Sequence, residues 1–215
     1  MKRQITVLLI LVVGLSAAAG AAFPKPAIVQ KTNEWTLAVK YESPKQITLH
    51  LPGRPAPERF WYIILSLTND STQQKEVQFF PACEMVTDNF EIIPAGIGVP
   101  KGVFDAIKLK HQGGYPFLES LDFEDNRIHF GQDNTRDVVI IWKDFNLKAK
   151  EVSLFIGGLS NETAVVAHPS KTDAKGNPEQ VFLQKTLQLR YNVGADASLR
   201  HMATLEMQEQ SWVMR

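Results

Sequence analysis

The 215-residue chain has a single cysteine, Cys83, and no surplus of charge, with 23 lysines and arginines against 23 aspartates and glutamates. One thiol cannot close an internal disulfide, so the fold must rest on its hydrophobic core. The charge balance gives no electrostatic case for nucleic acid or for anionic lipid. Metal-ligand spacings are missing too: no H-x-H, H-x₃-H or C-x₂-C occurs, which leaves zinc without a local frame. There is no Walker loop and no G-x-G-x-x-G after a strand, so no nucleotide or dinucleotide cofactor is expected. The stretch closest to a nucleophile elbow, Gly158-Leu159-Ser160-Asn161-Glu162, carries glutamate where the last glycine belongs. Cys83 has no histidine in a local signature with it and reads as a small buried apolar residue.

What is present begins at the N-terminus. Met1-Lys2-Arg3-Gln4 is basic, Ile5 to Leu15 is nearly all apolar, and Ser16 to Ala22 is small. That order is the order of a secretory signal peptide. Ala19-Gly20-Ala21 and Gly20-Ala21-Ala22 both suit a peptidase that admits only small side chains. The alternative is an uncleaved anchor, since about 18 apolar or small residues are the lower limit for a span. No later run approaches that length. The expectation is an exported protein, periplasmic or extracellular, whose contact with a membrane is through the signal segment if it is kept. Absence of disulfides points to a bacterial envelope. Residues 1–22 are read as signal, 23–33 as an extended leader, and 34–215 as one domain, because no internal repeat or linker divides it.

Along that domain, short alternating runs recur. Trp35, Leu37, Val39 and Tyr41 share one face of a strand, as do Ile47, Leu49 and Leu51 of the next. In Arg59 to Thr68, Trp61, Ile63, Leu65 and Leu67 form one apolar row; Phe60, Tyr62 and Ile64 form a second on the opposite face. Two apolar faces predict a strand covered on both sides. Glu76 to Phe80 reads as the strand returning after the Asn69-Asp70-Ser71 turn. Glu84 to Ile93 reads as a strand pair or one bent strand. Lys101 to Gln112 is the one helix expected after the signal: Pro100 opens it, cations crowd its last turn, and Gly113-Gly114 suits a left-handed cap. Further strands are expected at 137–142, 151–156 and 184–193. Residues 169–179 read as a polar loop, and 199–215 as helix or last strand. The pattern predicts a mainly β fold, an antiparallel sandwich with one inserted helix.

Sites are harder to read. Asn69-Asp70-Ser71 and Asn161-Glu162-Thr163 match the glycosylation acceptor pattern but read as turn chemistry. Asp122, Glu124 and Asp125, with Asn126 nearby, form an acidic loop that could offer oxygens to calcium, without the glycine and closing glutamate of an EF-hand. Exposed aromatics could stack on sugars or bind a partner. Phe60, Tyr62, Ile64, Phe79 and Phe80 are the candidate interaction surface, provided nothing covers them.

The run Trp61 to Ser71, with its returning strand and the Thr87-Asp88 turn, resembles exported bacterial immunoglobulin-like domains of unknown role. Val138 to Trp142 and Val152 to Ile156 fit the same layout. The resemblance implies an immunoglobulin-like sandwich and an interaction role, with no catalytic residue to carry over; the helix at 101–112 and the segment 169–179 depart from it. The expected function is a non-enzymatic module binding a protein partner or another cell-envelope component. The alternatives are a carbohydrate-binding module and a hydrolase built from dispersed acids.

Overall fold

The computed structural model describes residues 23–123, 125–194 and 197–215. The proposed signal segment and Glu124 lie outside the described residues. Among those residues no helix is long and apolar enough to cross a membrane.

The fold is mainly β, two antiparallel sheets packed face to face. The first sheet centres on β3 (Glu58–Thr68). β8 (Arg136–Lys143) pairs with β3 from Phe60 to Leu67. β2 (Lys45–Leu49) and β1 (Ala38–Tyr41) share the other edge, one after the other. The second sheet runs β12 (Leu205–Met214), β11 (Pro178–Val193), β9 (Glu151–Gly157), β5 (Ala82–Thr87), β6 (Ile92–Pro94). A small pair, β4 (Glu76–Gln78) with β7 (Arg127–His129), stands apart from both. The segment after the Asn69 turn therefore does not return onto β3: it pairs with a strand fifty residues on, which a local hairpin reading misses.

β3 does what its two apolar rows require. Trp61, Ile63, Leu65 and Leu67 enter the core between the sheets, against Met85, Leu154 and Leu189. Phe60, Tyr62 and Ile64 enter a second core beneath α1 (Lys101–His111), whose Val103 and Ile107 are fully buried. At about 1.5–3 kcal/mol for each large side chain removed from water, these rows are a principal source of stability. The helix starts at Pro100 and ends with Lys108, Lys110 and His111, as its sequence suggests. Its exit differs from the expected left-handed cap: Gln112 stays right-handed, and Gly114 and Tyr115 both donate their N–H to His111 O.

Residues 169–179 are a loop only at 173–177, and their flanks are strand. β10 (Thr163–Thr172) and the first part of β11 form a hairpin closed by Asp173, whose carboxylate accepts the N–H groups of Lys175 (2.8 Å) and Asn177 (2.9 Å). The tail resolves into a 3₁₀ turn (Ala197–Met202) and β12.

Candidate interaction site

Burial decides most of the candidate surface at once. Phe60, Tyr62 and Ile64 are at most 3 % exposed, and Phe79 is fully buried. The helix covers the first three. Phe79 stacks on Phe123, ring centroids 6.1 Å apart, with Arg136 over the far ring. These four are core, and the reading of them as surface is corrected. Phe80 alone of the five stands out, 64 % exposed.

Phe80 lines a cleft of about 330 Å³ with Trp35, Gln78, Gly158, Ser160 and Gln184. The cleft exists because the chain jogs between β9 and β10. Gly158 takes φ +84°, and a Cβ there would collide with the carbonyl of Phe80. Ser160 and Asn161 then clamp the segment ahead of β1 that carries Trp35. Asn161 Oδ1 accepts Trp35 N–H at 2.7 Å, its Nδ2 donates to Asn33 O at 2.9 Å, and Ser160 Oγ donates to Trp35 O at 2.8 Å. Gln184 Nε2 donates to Ser160 O at 3.1 Å, tying the jog to β11. Asn69 is likewise structural: buried, it accepts from Ser71 N–H and donates to Gln74 O and Ile128 O.

Past Gln184 the β10–β11 hairpin projects as a two-stranded arm. Every residue from Thr163 to Phe182 is exposed or half-exposed, on both faces, with Val165 at 51 % and Phe182 at 71 %. Gln184 exchanges both backbone hydrogen bonds with Arg215 (2.7 and 3.1 Å), while Lys185 N–H turns the other way to Glu162 O. Strand alternation then directs the backbone groups of Phe182 and Gln180 to the β12 edge, beyond the last β12 pairing at Lys185↔Met214. That stretch pairs with no strand and makes no backbone hydrogen bond on that side among the described residues. The outer edge of β10 is different: Pro169 and Lys171 blunt it in the manner of protected edges.

A buried ion pair sits at the arm's root. Glu162 Oε2 faces Lys185 Nζ at 3.0 Å, both side chains under 10 % exposed, as a charge contact more than an aligned hydrogen bond. Glu162 Oε1 accepts Ala27 N–H at 2.6 Å, pinning the leader. Burial pushes the Glu162 pKa up, but the Ala27 N–H and Lys185 outweigh it and hold the carboxyl below its usual range.

The acidic loop is otherwise employed. Asp125 accepts from Arg127 backbone N–H and Nε, both at 3.0 Å, which lowers its pKa. Asp137 Oδ1 accepts from Ser66 Oγ. No group of three or more potential ligands gathers among the described residues. Cys83 is buried, its thiol pushed up to about 12 chiefly by burial.

Sequence reasoning missed the free edge at Gln180 and Phe182. The apolar triplet Val181-Phe182-Leu183, just before the strand that was legible, was the available signal. Comparison of the chain with protein-family models, with curated proteins and with solved structures finds no match.

Proposed function

We propose that this is an exported interaction module of the cell envelope that takes an extended polypeptide segment along the free β11 edge. The backbone of Gln180 and Phe182, unpaired on this side among the described residues, carries the reading. An exposed row of N–H and C=O groups is the recognition chemistry of strand addition, in which main-chain bonds supply affinity and side-chain pockets supply choice. A two-stranded ribbon is marginal alone in water, so a third strand would steady it. The Trp35–Phe80 cleft lies at the arm's base and supports the reading with an apolar recess beside the edge.

A photoreactive residue at position 182 tests it, against a control at 165 on the strand beyond. The expected result is a polypeptide adduct from the native envelope at 182 only, lost in Gln180→Pro, which removes an outward N–H without touching the β10 pairing. No adduct, or one insensitive to Gln180→Pro, overturns the proposal.

The cleft also favours a second reading. Trp35 and Phe80 beside Gln78 and Gln184 combine ring faces with neutral amides, the chemistry that holds a sugar ring. Oligosaccharides that quench tryptophan emission in wild type but not in Phe80→Ala would favour it over strand addition.

A further inference from the structure

The free edge of β11 has close limits. At its root Arg215 fills the place beside Gln184, bonded to it at 2.7 and 3.1 Å. At its tip the strand begins at Pro178, which pairs with Thr172 across the arm. Between these limits the groups that face outward are the carbonyl of Pro178 and both backbone groups of Gln180 and Phe182, because alternate residues of a strand point to the same side. The lane beside β11 is therefore short, and few main-chain bonds can form in it. A disordered peptide would lose much of their worth in becoming ordered. A strand that is already extended loses little.

The arm of another molecule is such a strand. We propose that the occupant of this edge is the same edge of a second copy of the chain, antiparallel to the first and related to it by a two-fold axis at Gln180. The proposal rests on the strand-addition reading above and names its partner.

The limits of the lane choose the register. With Gln180 facing its counterpart, the two Gln180 residues exchange N–H and C=O, and each Phe182 N–H donates to Pro178 O of the other copy. Pro178 has no N–H to give back, so the strand ends where the match ends. An axis at Val181 would set Pro178 of the second copy opposite Gln184, in the place that Arg215 holds. An axis at Glu179 would set Phe182 opposite the turn at 173–177, outside the strand, and lose its bonds.

Side chains and charge agree with a second copy. Val165 flanks Phe182 on one side within the arm. The Pro178 ring of the other copy comes to the open side and covers a phenylalanine that is 71 % exposed. Lys171 and Lys175 balance Asp173 and Glu179, so two arms meet without net repulsion and nothing in the arm selects an acidic or a basic partner. Only Glu179 meets its like, diagonally across the axis. The pairing also closes on itself. The edges it leaves outermost are those of β10, blunted by Pro169 and Lys171, so the ribbon stops at two copies.

The test uses the chain as its producing cell releases it, so that every variant shares the same N-terminus. Sedimentation should show a monomer–dimer equilibrium with a Kd on the order of 10 μM, the strength of a small preorganised contact. Gln180→Pro removes the donor at the axis and should weaken it about tenfold or more. Glu179→Gln should tighten it about twofold by removing the diagonal repulsion. In this register Glu179 faces Val181 of the other copy as a non-hydrogen-bonded pair, with Cα atoms about 4.5 Å apart, within reach of a disulfide. A mixture of Glu179→Cys and Val181→Cys chains should therefore oxidise to a linked dimer about tenfold faster than either chain alone. Cys83 is buried and does not compete. This second measurement decides the matter if Gln180→Pro lowers the melting temperature. A monomer up to about 1 mM, a dimer that withstands Gln180→Pro with the fold intact, or cysteine chains that link no faster mixed than alone overturns the proposal. A monomer whose position 182 still captures another polypeptide sinks the second copy and leaves strand addition standing, whereas no adduct at 182 sinks both.

Discussion

The hydroxyl of Tyr62 and Nε2 of His111 share a hydrogen bond of 2.9 Å, joining the centre of β3 to the last turn of α1. Around them Tyr115 donates to Glu42 (2.7 Å), Glu42 pairs with Lys45, and the His111 and Tyr115 rings meet edge to face. Burial raises Tyr62 to about 12, and burial with Lys45 and Lys110 lowers His111. The helix is thus latched to the sheet by a neutral imidazole and a neutral phenol. A lowered histidine pKa means that the unfolded chain protonates first as pH falls. The stabilisation is complete above the unfolded value, about 6.5, and is lost as pH drops from there through the folded value. Urea midpoints should fall between pH 7.5 and 5, and His111→Phe should flatten that slope; an unchanged slope counts against the latch.

Two glycines should respond in opposite directions to alanine. Gly158 sits at φ +84° with the Phe80 carbonyl in the place of a Cβ. Gly158→Ala must move the Phe80–Pro81 backbone and the start of β5, and should cost about 3 kcal/mol or more. Gly102 lies in the first turn of α1 with nothing within 4 Å of its added Cβ. Gly102→Ala should stabilise by about 0.5–1 kcal/mol. Urea unfolding of both variants checks the pair.

The contrast between β3 and the arm shows what periodicity can and cannot reveal. β3 is buried on both faces, and each face wrote its own row of residues: Trp61 to Leu67 for one core, Phe60 to Ile64 for the other. The helix was equally legible through Val103 and Ile107. The arm rests on neither core. Its strands support each other, so Thr163 to Thr172 has no buried face to impose alternation, and Pro169 reads as a breaker. Phe79 was misplaced for a different reason. Its cover, Phe123, comes from a segment whose fold is set by distant partners such as Arg136, and no local pattern announces that. A free edge is a property of what is missing around a residue, and a sequence lists only what is there.

Glu162 and Lys185 should prove mutually dependent. With both side chains under 10 % exposed, Lys185→Met strands a buried carboxylate and Glu162→Gln strands a buried ammonium. Each single change should cost about 3–5 kcal/mol, and the double change markedly less than their sum. Glu162→Gln also weakens the acceptor for Ala27 N–H, so protease cleavage in residues 23–33 should quicken. A double-mutant cycle with no coupling would contradict the geometry.

Cys83 supplies a reporter of global opening. It lies 7 % exposed on β5 between the sheets, and its thiol is pushed up to about 12 by burial, with the Gly157 backbone contact opposing and Glu84 adding. The reactive thiolate is therefore scarce, and reagent cannot reach it until β5 separates from β9, where Cys83 is paired with Ile156. A label should react slowly in native buffer and accelerate with urea in step with unfolding, because the opening that exposes Cys83 breaks the central sheet. Gly158→Ala, which loosens the same neighbourhood, should speed labelling by roughly the factor given by its loss in stability, about a hundredfold for 3 kcal/mol. Labelling of wild type at the rate of a free thiol, with the fold intact by circular dichroism, would show that Cys83 is accessible and that its place in the core is wrong.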